Sequence, residues 1–335
     1  MLIQFADPEF EANFRAYLNY LEDLAGVVGG PYGIGESLIG GIHGGVLRQP
    51  PVHRIRGRRL SSKEDQALSG YLRKAWGDLR RMHREVEDSE LYEEEANAWL
   101  PAQAYYGVYN AALALAVASG GTVPGNHAAA LRMLGDHVRR GLLPFPWSAY
   151  CQGCPQTGSH LFGGLRPSGA DVHVLSSPDP ETSEDRLAMF LRTTRARELE
   201  RRFDQERGKP APGRMRRNVN KRRKEDIAAR LGPTTIFDLF WRLRKKANYG
   251  DPDVFVLGAA GTLDARRFAN ALVIVTDATV AVLEAVAAAH VGAHVLADAV
   301  RGCQEKARAD SGGVLDRRLA SWTARSSRRA RVPSP

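Results

Sequence analysis

The stretch from Phe237 to Pro252 concentrates chemistry-bearing side chains: Arg242, Arg244, Lys245, Lys246, Asn248 and Tyr249 within a few turns of predicted helix. Ile236, Phe240, Leu243 and Ala247 recur at the spacing of one buried face. Arg244 and Asn248, four apart, fall together on another. Gly250 is expected to cap the helix in the left-handed conformation, and Pro252 bars its continuation. An arginine can steady charge developing on a phosphorus centre, an asparagine amide can position a ribose or a water, and a tyrosine hydroxyl ionises only at high pH. A helix that ends by presenting Arg244, Asn248 and Tyr249 together, beside the cations Arg242, Lys245 and Lys246, suggests a polar site. This set supplies cations and hydrogen bonds but no proton acceptor near neutral pH. The competing reading of Arg244 and Asn248 is a buried, hydrogen-bonded pair that fixes the last helical turn against its neighbours.

The elements that must hold this stretch are helical. Tyr105, Tyr106, Val108, Tyr109, Ala112, Leu113 and Ala116 lie in a helix within Glu93 to Ser119, which starts afresh or kinks at Pro101 and ends at Gly120-Gly121. A second opens near Asn126 and carries Leu131, Leu134 and Val138 on one face. A long alanine-rich helix spans about Leu263 to Ala299 and favours tight pairing, within the chain or across a dimer. Tyr106 and Asn110, one turn apart, can face a single polar pocket, and His127 and His137 are the histidines available to act as a base beside it. Tyr105, Tyr106 and Tyr109 read more readily as core aromatics than as stacking platforms.

Residues 1–92 read as a helical accessory region with Phe10, Phe14, Leu18 and Leu21 on one stripe and Leu68, Tyr71, Leu72, Trp76 and Leu79 on another. The glycine-rich run Gly29 to Gly41 lacks the Gly-Lys-Ser/Thr of a phosphate loop and follows a helix, so a connector or a close-packed loop is expected. Residues 142–232 look like an insertion, with strand-type alternation at Asp171 to Leu175. From Arg192 to Arg230 there are 15 Arg and Lys against 6 Asp and Glu, a surplus equal to the +9 of the whole chain. If it binds, such a run contacts phosphate backbone without reading bases; a solvated insertion is the alternative. Residues 301–335, with Arg325, Arg328, Arg329 and Arg331 in a Ser-rich context, are expected to be a disordered basic tail.

Cys151 and Cys154 have the spacing of half a zinc site, with His160 downstream, but no second tight pair completes it, and no metal or other cofactor is expected. Three cysteines in 335 residues fit a reducing compartment. No basic leader precedes Asp7, so a cytoplasmic location is expected. Asp277, Glu284, His290, His294 and Asp298 interrupt the apolar window from Ala271 to Val300, which reads as a core helix with no membrane contact.

Ala104-Tyr105-Tyr106-Gly107-Val108-Tyr109-Asn110 through Leu115, then His127 through Val138, then Leu243-Arg244-Lys245-Lys246-Ala247-Asn248-Tyr249, then the long helix, together resemble the HEPN superfamily. The resemblance covers a minority of the chain. It implies an all-α fold, an antiparallel helical bundle at residues 93–300 interrupted at 142–232, with the helical N-terminal extension and the basic insertion added. It also implies a homodimer and an RNA-directed module of a bacterial toxin or antivirus defence system, in many members a metal-independent endoribonuclease leaving 2′,3′-cyclic phosphate. The family's signature pairs an arginine with a histidine four to six residues later. Here Arg244, or Arg242, matches the arginine and Asn248 stands in the histidine's place, so the resemblance implies Arg244, Asn248 and Tyr249 as the candidate catalytic residues and Arg242, Lys245 and Lys246 as candidate phosphate contacts. The alternative implied by that departure is a non-catalytic binding module, or a partner of a nucleotidyltransferase.

Overall fold

The computed structural model describes residues 8–32, 35, 37–87, 93–167, 183–208, 218–250, 253–256, 262–306 and 313–329. The order is α1 (Pro8–Tyr32), α2 (Ser37–Leu47), α3 (Pro50–His53), α4 (Ser62–Glu87), α5 (Glu93–Ser119), α6 (His127–Arg139), β1 (Tyr150–Cys154), β2 (Ser159–Gly163), α7 (Ser183–Arg207), α8 (Lys221–Arg230), β3 (Thr234–Thr235), α9 (Phe237–Lys245), α10 (Asp253–Val256), α11 (Thr262–Val291), α12 (Ala293–Gln304) and α13 (Val314–Arg329). The protein is thus mostly helical with one small antiparallel sheet, ordered β2-β1-β3, so the all-α expectation is corrected by that sheet. The alternation at Asp171 to Leu175 lies outside the described residues.

The centre of the fold is α11. It is long and apolar enough to cross a membrane by composition alone, yet 94% of its apolar window is buried inside this chain. Its alanines pack within the monomer, against α1, α2, α4 and α5. Thr276 and Thr279 satisfy their hydroxyls on the carbonyls of Leu272 and Val275, both at 2.6 Å. Helices α1, α2 and α4 contribute Phe14, Leu21, Ile42, Leu72 and Trp76 to the same core as α5 and α11. The N-terminal region is therefore part of the bundle and not an accessory to it. The glycine run is where α1 and α2 touch: a Cβ on Gly41 would collide with the Tyr32 carbonyl, and one on Gly45 with the Tyr32 ring.

Two carboxylates on α11 are buried, and their partners decide the fate of the C-terminus. Glu284 accepts from Trp76 Nε1 and Arg318 Nε, both at 2.7 Å, and from His43 Nε2 at 3.1 Å. Asp277 accepts from Arg318 at 2.7 Å and from His83 and Arg317 at 3.4 Å. Arg318 and Trp322, both 0% exposed, come from α13, and Trp322 stacks on His43 at 3.8 Å. The expected disordered tail is consequently helical over Val314–Arg329, because the core needs its arginine. Burial pushes both carboxyls up, but Arg318, helped by His83 at Asp277 and by His43 at Glu284, reverses this and holds them below their ordinary values. Carboxyls lowered in this way stabilise the fold above their unfolded-state pKa and cease to do so as pH falls through the folded value.

Removing Arg318 would leave two carboxylates buried without their main cation. Arg318→Ala should cost about 3–5 kcal/mol in denaturant unfolding, whereas Arg317→Ala, at a part-exposed edge of the same network, should cost about 1 kcal/mol or less. Equal effects of the two substitutions would contradict the network.

Candidate nucleic-acid interface

Helix α9 is fixed at its start by its own side chain. Asp238 Oδ2 accepts from Thr235 N at 2.7 Å and from Thr235 Oγ1 at 3.1 Å, folding the helix back onto β3. Burial pushes the Asp238 carboxyl up to about 6, against these hydrogen bonds. Strand β3 pairs with β1, Thr235 opposite Tyr150 and Thr234 opposite Cys151, so the inserted sheet anchors the helix. Phe237, Leu239, Phe240 and Leu243 then point into the core, Trp241 and Arg242 are half-buried against its edge, and Lys245 is exposed.

Arg244 is 6% exposed and sits among rings. Its guanidinium lies 5.3, 5.2 and 5.1 Å from the centroids of Tyr105, Tyr106 and Trp241, and it donates to the Tyr106 hydroxyl at 3.0 Å. His127, at the start of α6, joins the same cluster. Its Nδ1 is 2.6 Å from the Tyr105 hydroxyl, and its ring centroid is 4.8 Å from Tyr109 and 5.2 Å from Trp241. Burial, and then the Arg244 charge, lower the His127 pKa and so favour the neutral imidazole. The Tyr105 bond engages Nδ1, with the donor set by the tautomer; in the Nδ1–H tautomer Nε2 is the acceptor.

Trp241 forms the wall between this cluster and a cavity of about 610 Å³, which α6, α7, α9 and the loop before β3 enclose. Nine cationic side chains line it, against Glu198 and Asp238. Some are committed. Arg195 donates to the carbonyls of Gly153, Gly232 and Ala228 at 2.5, 2.9 and 3.0 Å, which ties α7 to β1 and to the end of α8. Arg242 donates to Tyr17 and Thr194, each at 3.0 Å, and lies over the Tyr17 and Phe190 rings. Arg201 and Arg202 share Glu198. Among the described residues none pairs with Arg132, Arg197, Arg230 or Lys245, all four of them exposed.

The structure thus divides the residues singled out in the sequence. Arg242, Lys245 and Lys246 line the cavity, and Tyr106 and His127 meet Arg244. Asn248 is exposed where Arg244 is buried, because Lys246–Gly250 is a π-helical turn that rotates the chain differently from the α-helical spacing. That turn replaces the Gly250 cap, and the Tyr249 side chain lies outside what is described. Asn110 donates back to the Tyr106 carbonyl at 2.9 Å. His137 does not join the cluster: it is buried, bonds the Met133 carbonyl at 2.9 Å, and has its pKa lowered by that burial.

Cys151 and Cys154 do not form half a metal site. Three apart on β1, they point to opposite faces, Cys151 into the main core and Cys154 into a small second core with Leu199, Phe203, Val219 and Ala228. His160 lies opposite Gly153 on β2, and among the described residues no group of three or more His, Cys, Asp or Glu is arranged to hold a metal. Sequence reasoning did not single out Trp241, although its place four residues before Lys245 puts both on one face of a helix. Comparison with known proteins finds no matching family model, no matching curated protein and no matching solved structure.

The His127–Arg244 proximity has a direct consequence for titration. In the native protein the His127 resonances should titrate below the ordinary histidine value, and Arg244→Gln should move the midpoint upward, as followed by NMR. A midpoint indifferent to Arg244 would separate the two residues electrostatically.

Proposed function

We propose that the chain is a HEPN-like, RNA-directed module that binds RNA along the cleft between the basic insertion and α9. The observation that carries this is the cavity, which Arg197 and Arg230 from the insertion and Lys245 from the bundle helix all line, free of ion pairs among the described residues. Cations converging from segments far apart in sequence suit a phosphate backbone. The toxin or defence-system context, homodimerisation and a nucleotidyltransferase partner belong to the same proposal and rest on the family resemblance alone.

Binding is the role that the geometry supports best, since the arginine expected to steady a reacting phosphorus is wrapped by three rings and Asn248 does not share its surroundings. A second reading, metal-independent cleavage, is favoured by one observation: His127, its neutral form favoured by burial and its ring hydrogen-bonded to Tyr105, lies in the Arg244 cluster. In that reaction His127 Nε2 would take the proton of a ribose 2′-hydroxyl, the 2′-oxygen would attack phosphorus, and the 5′-oxygen would leave with a proton from solvent. The products would end in 2′,3′-cyclic phosphate. Cleavage in EDTA that His127→Gln abolishes without weakening binding is the expected result under this reading. Its absence in wild type leaves the binding module.

RNA affinity should fall steeply with salt. Arg197→Ala, Arg230→Ala and Lys245→Ala should each flatten the salt slope by about 1, while Arg56→Ala, exposed before α4 and not part of the cavity lining, should leave it unchanged. Glu198→Gln should do the opposite of the cation substitutions and strengthen binding, because it releases Arg201 and Arg202 from their carboxylate. Salt slopes that are the same in all five variants and in wild type would place RNA elsewhere.

A further inference from the structure

We propose that the cavity takes one unstacked nucleotide of a single strand, its base laid on the Trp241 indole and its phosphates on Arg132, Arg197, Arg230 and Lys245. This inference rests on the RNA reading and adds which form of the ligand enters and which residue receives the base. The lining is amphipathic: Leu131, Leu231, Pro233 and Trp241 supply an apolar strip beside the four cations. A bare polyanion has no use for that strip, whereas a nucleotide carries an apolar base face and an anionic phosphate on one small body. About 610 Å³ is the size of a small-molecule pocket and cannot admit a duplex.

Trp241 is also held in place before any ligand arrives. Tyr105 at 5.4 Å, His127 at 5.2 Å and the Arg244 guanidinium at 5.1 Å pack around its ring, while the same side chain borders the cavity. A rigid aromatic ring loses little freedom when a base stacks on it, and such stacking contributes roughly 1–3 kcal/mol per base. The buried arginine in this view is a positioning residue for the indole and does not touch the ligand.

The test measures binding of four ligands to the full chain and to Trp241→Leu and Trp241→Phe: a single-stranded oligoribonucleotide, the same sequence as a duplex, a nucleoside 5′-monophosphate and inorganic polyphosphate. Trp241→Leu should weaken the single strand about 5- to 150-fold and leave polyphosphate unchanged, with Trp241→Phe in between. Tryptophan emission should be quenched by the single strand in wild type and not in Trp241→Phe, a readout that survives if Trp241→Leu fails to fold. Equal losses on all ligands, or no loss on any, would overturn the stacking site while leaving an RNA-binding cleft. A monophosphate that binds in a Trp241-dependent way, with no binding of the oligoribonucleotide, would keep the nucleotide site and overturn the RNA reading. Binding of polyphosphate alone would overturn both.

Discussion

Asp277 and Glu284 sit buried on the helix against which α1, α2, α4 and α5 pack, and the fold depends on Arg318 being there to meet them. Two buried carboxylates without a cation would each carry a large desolvation cost. Meeting that need draws α13 into the core and stacks Trp322 on His43. The same network reaches α2 through His43 and α4 through Trp76 and His83. With α11 held, α5 has a fixed surface to pack on, and α5 in turn presents Tyr105 and Tyr106 to α9.

Arg195 plays the corresponding part for the insertion. Its three backbone carbonyl partners join α7, β1 and the end of α8, and the β1–β3 pairing carries that unit to the first turn of α9. The positive surplus of the insertion is therefore not spread over a loose appendage. Part of it is folded onto the bundle, where α7 and α9 enclose the cavity. One arginine fastens the wall, and its neighbours on the same helix line the space that the wall encloses.

Much of this was legible in the sequence. The apolar stripe of α9, the helices at α5, α6 and α11, and the cationic character of residues 192–230 follow from spacing and composition, although α5 runs unbroken through Pro101 and the single helix expected over Leu263 to Ala299 is divided at Gly292. What escaped was set by distant contacts. Nothing in Val314 to Arg329 announces that Arg318 is the counterion of a helix some forty residues earlier, so its charge and serines read as a tail. A π-helical turn has no strong signature in residue types, so the spacing of Arg244 and Asn248 was taken as α-helical and Asn248 was assigned to the wrong surface. The Trp241–Lys245 spacing marks a shared face, but the packing of Tyr105 and His127 behind the indole is set by α5 and α6 and leaves no local pattern.

The proposed RNA site is the cleft shared by α7 and α9. Photocrosslinking with a 4-thiouridine-substituted single strand, followed by mass spectrometry of the adducts, locates the bound RNA without any substitution in the protein. The account predicts adducts on peptides from 194–202 and 230–246, with Trp241 among the modified residues. Adducts confined to the Arg54–Arg59 loop or to the surface of α12 would contradict it.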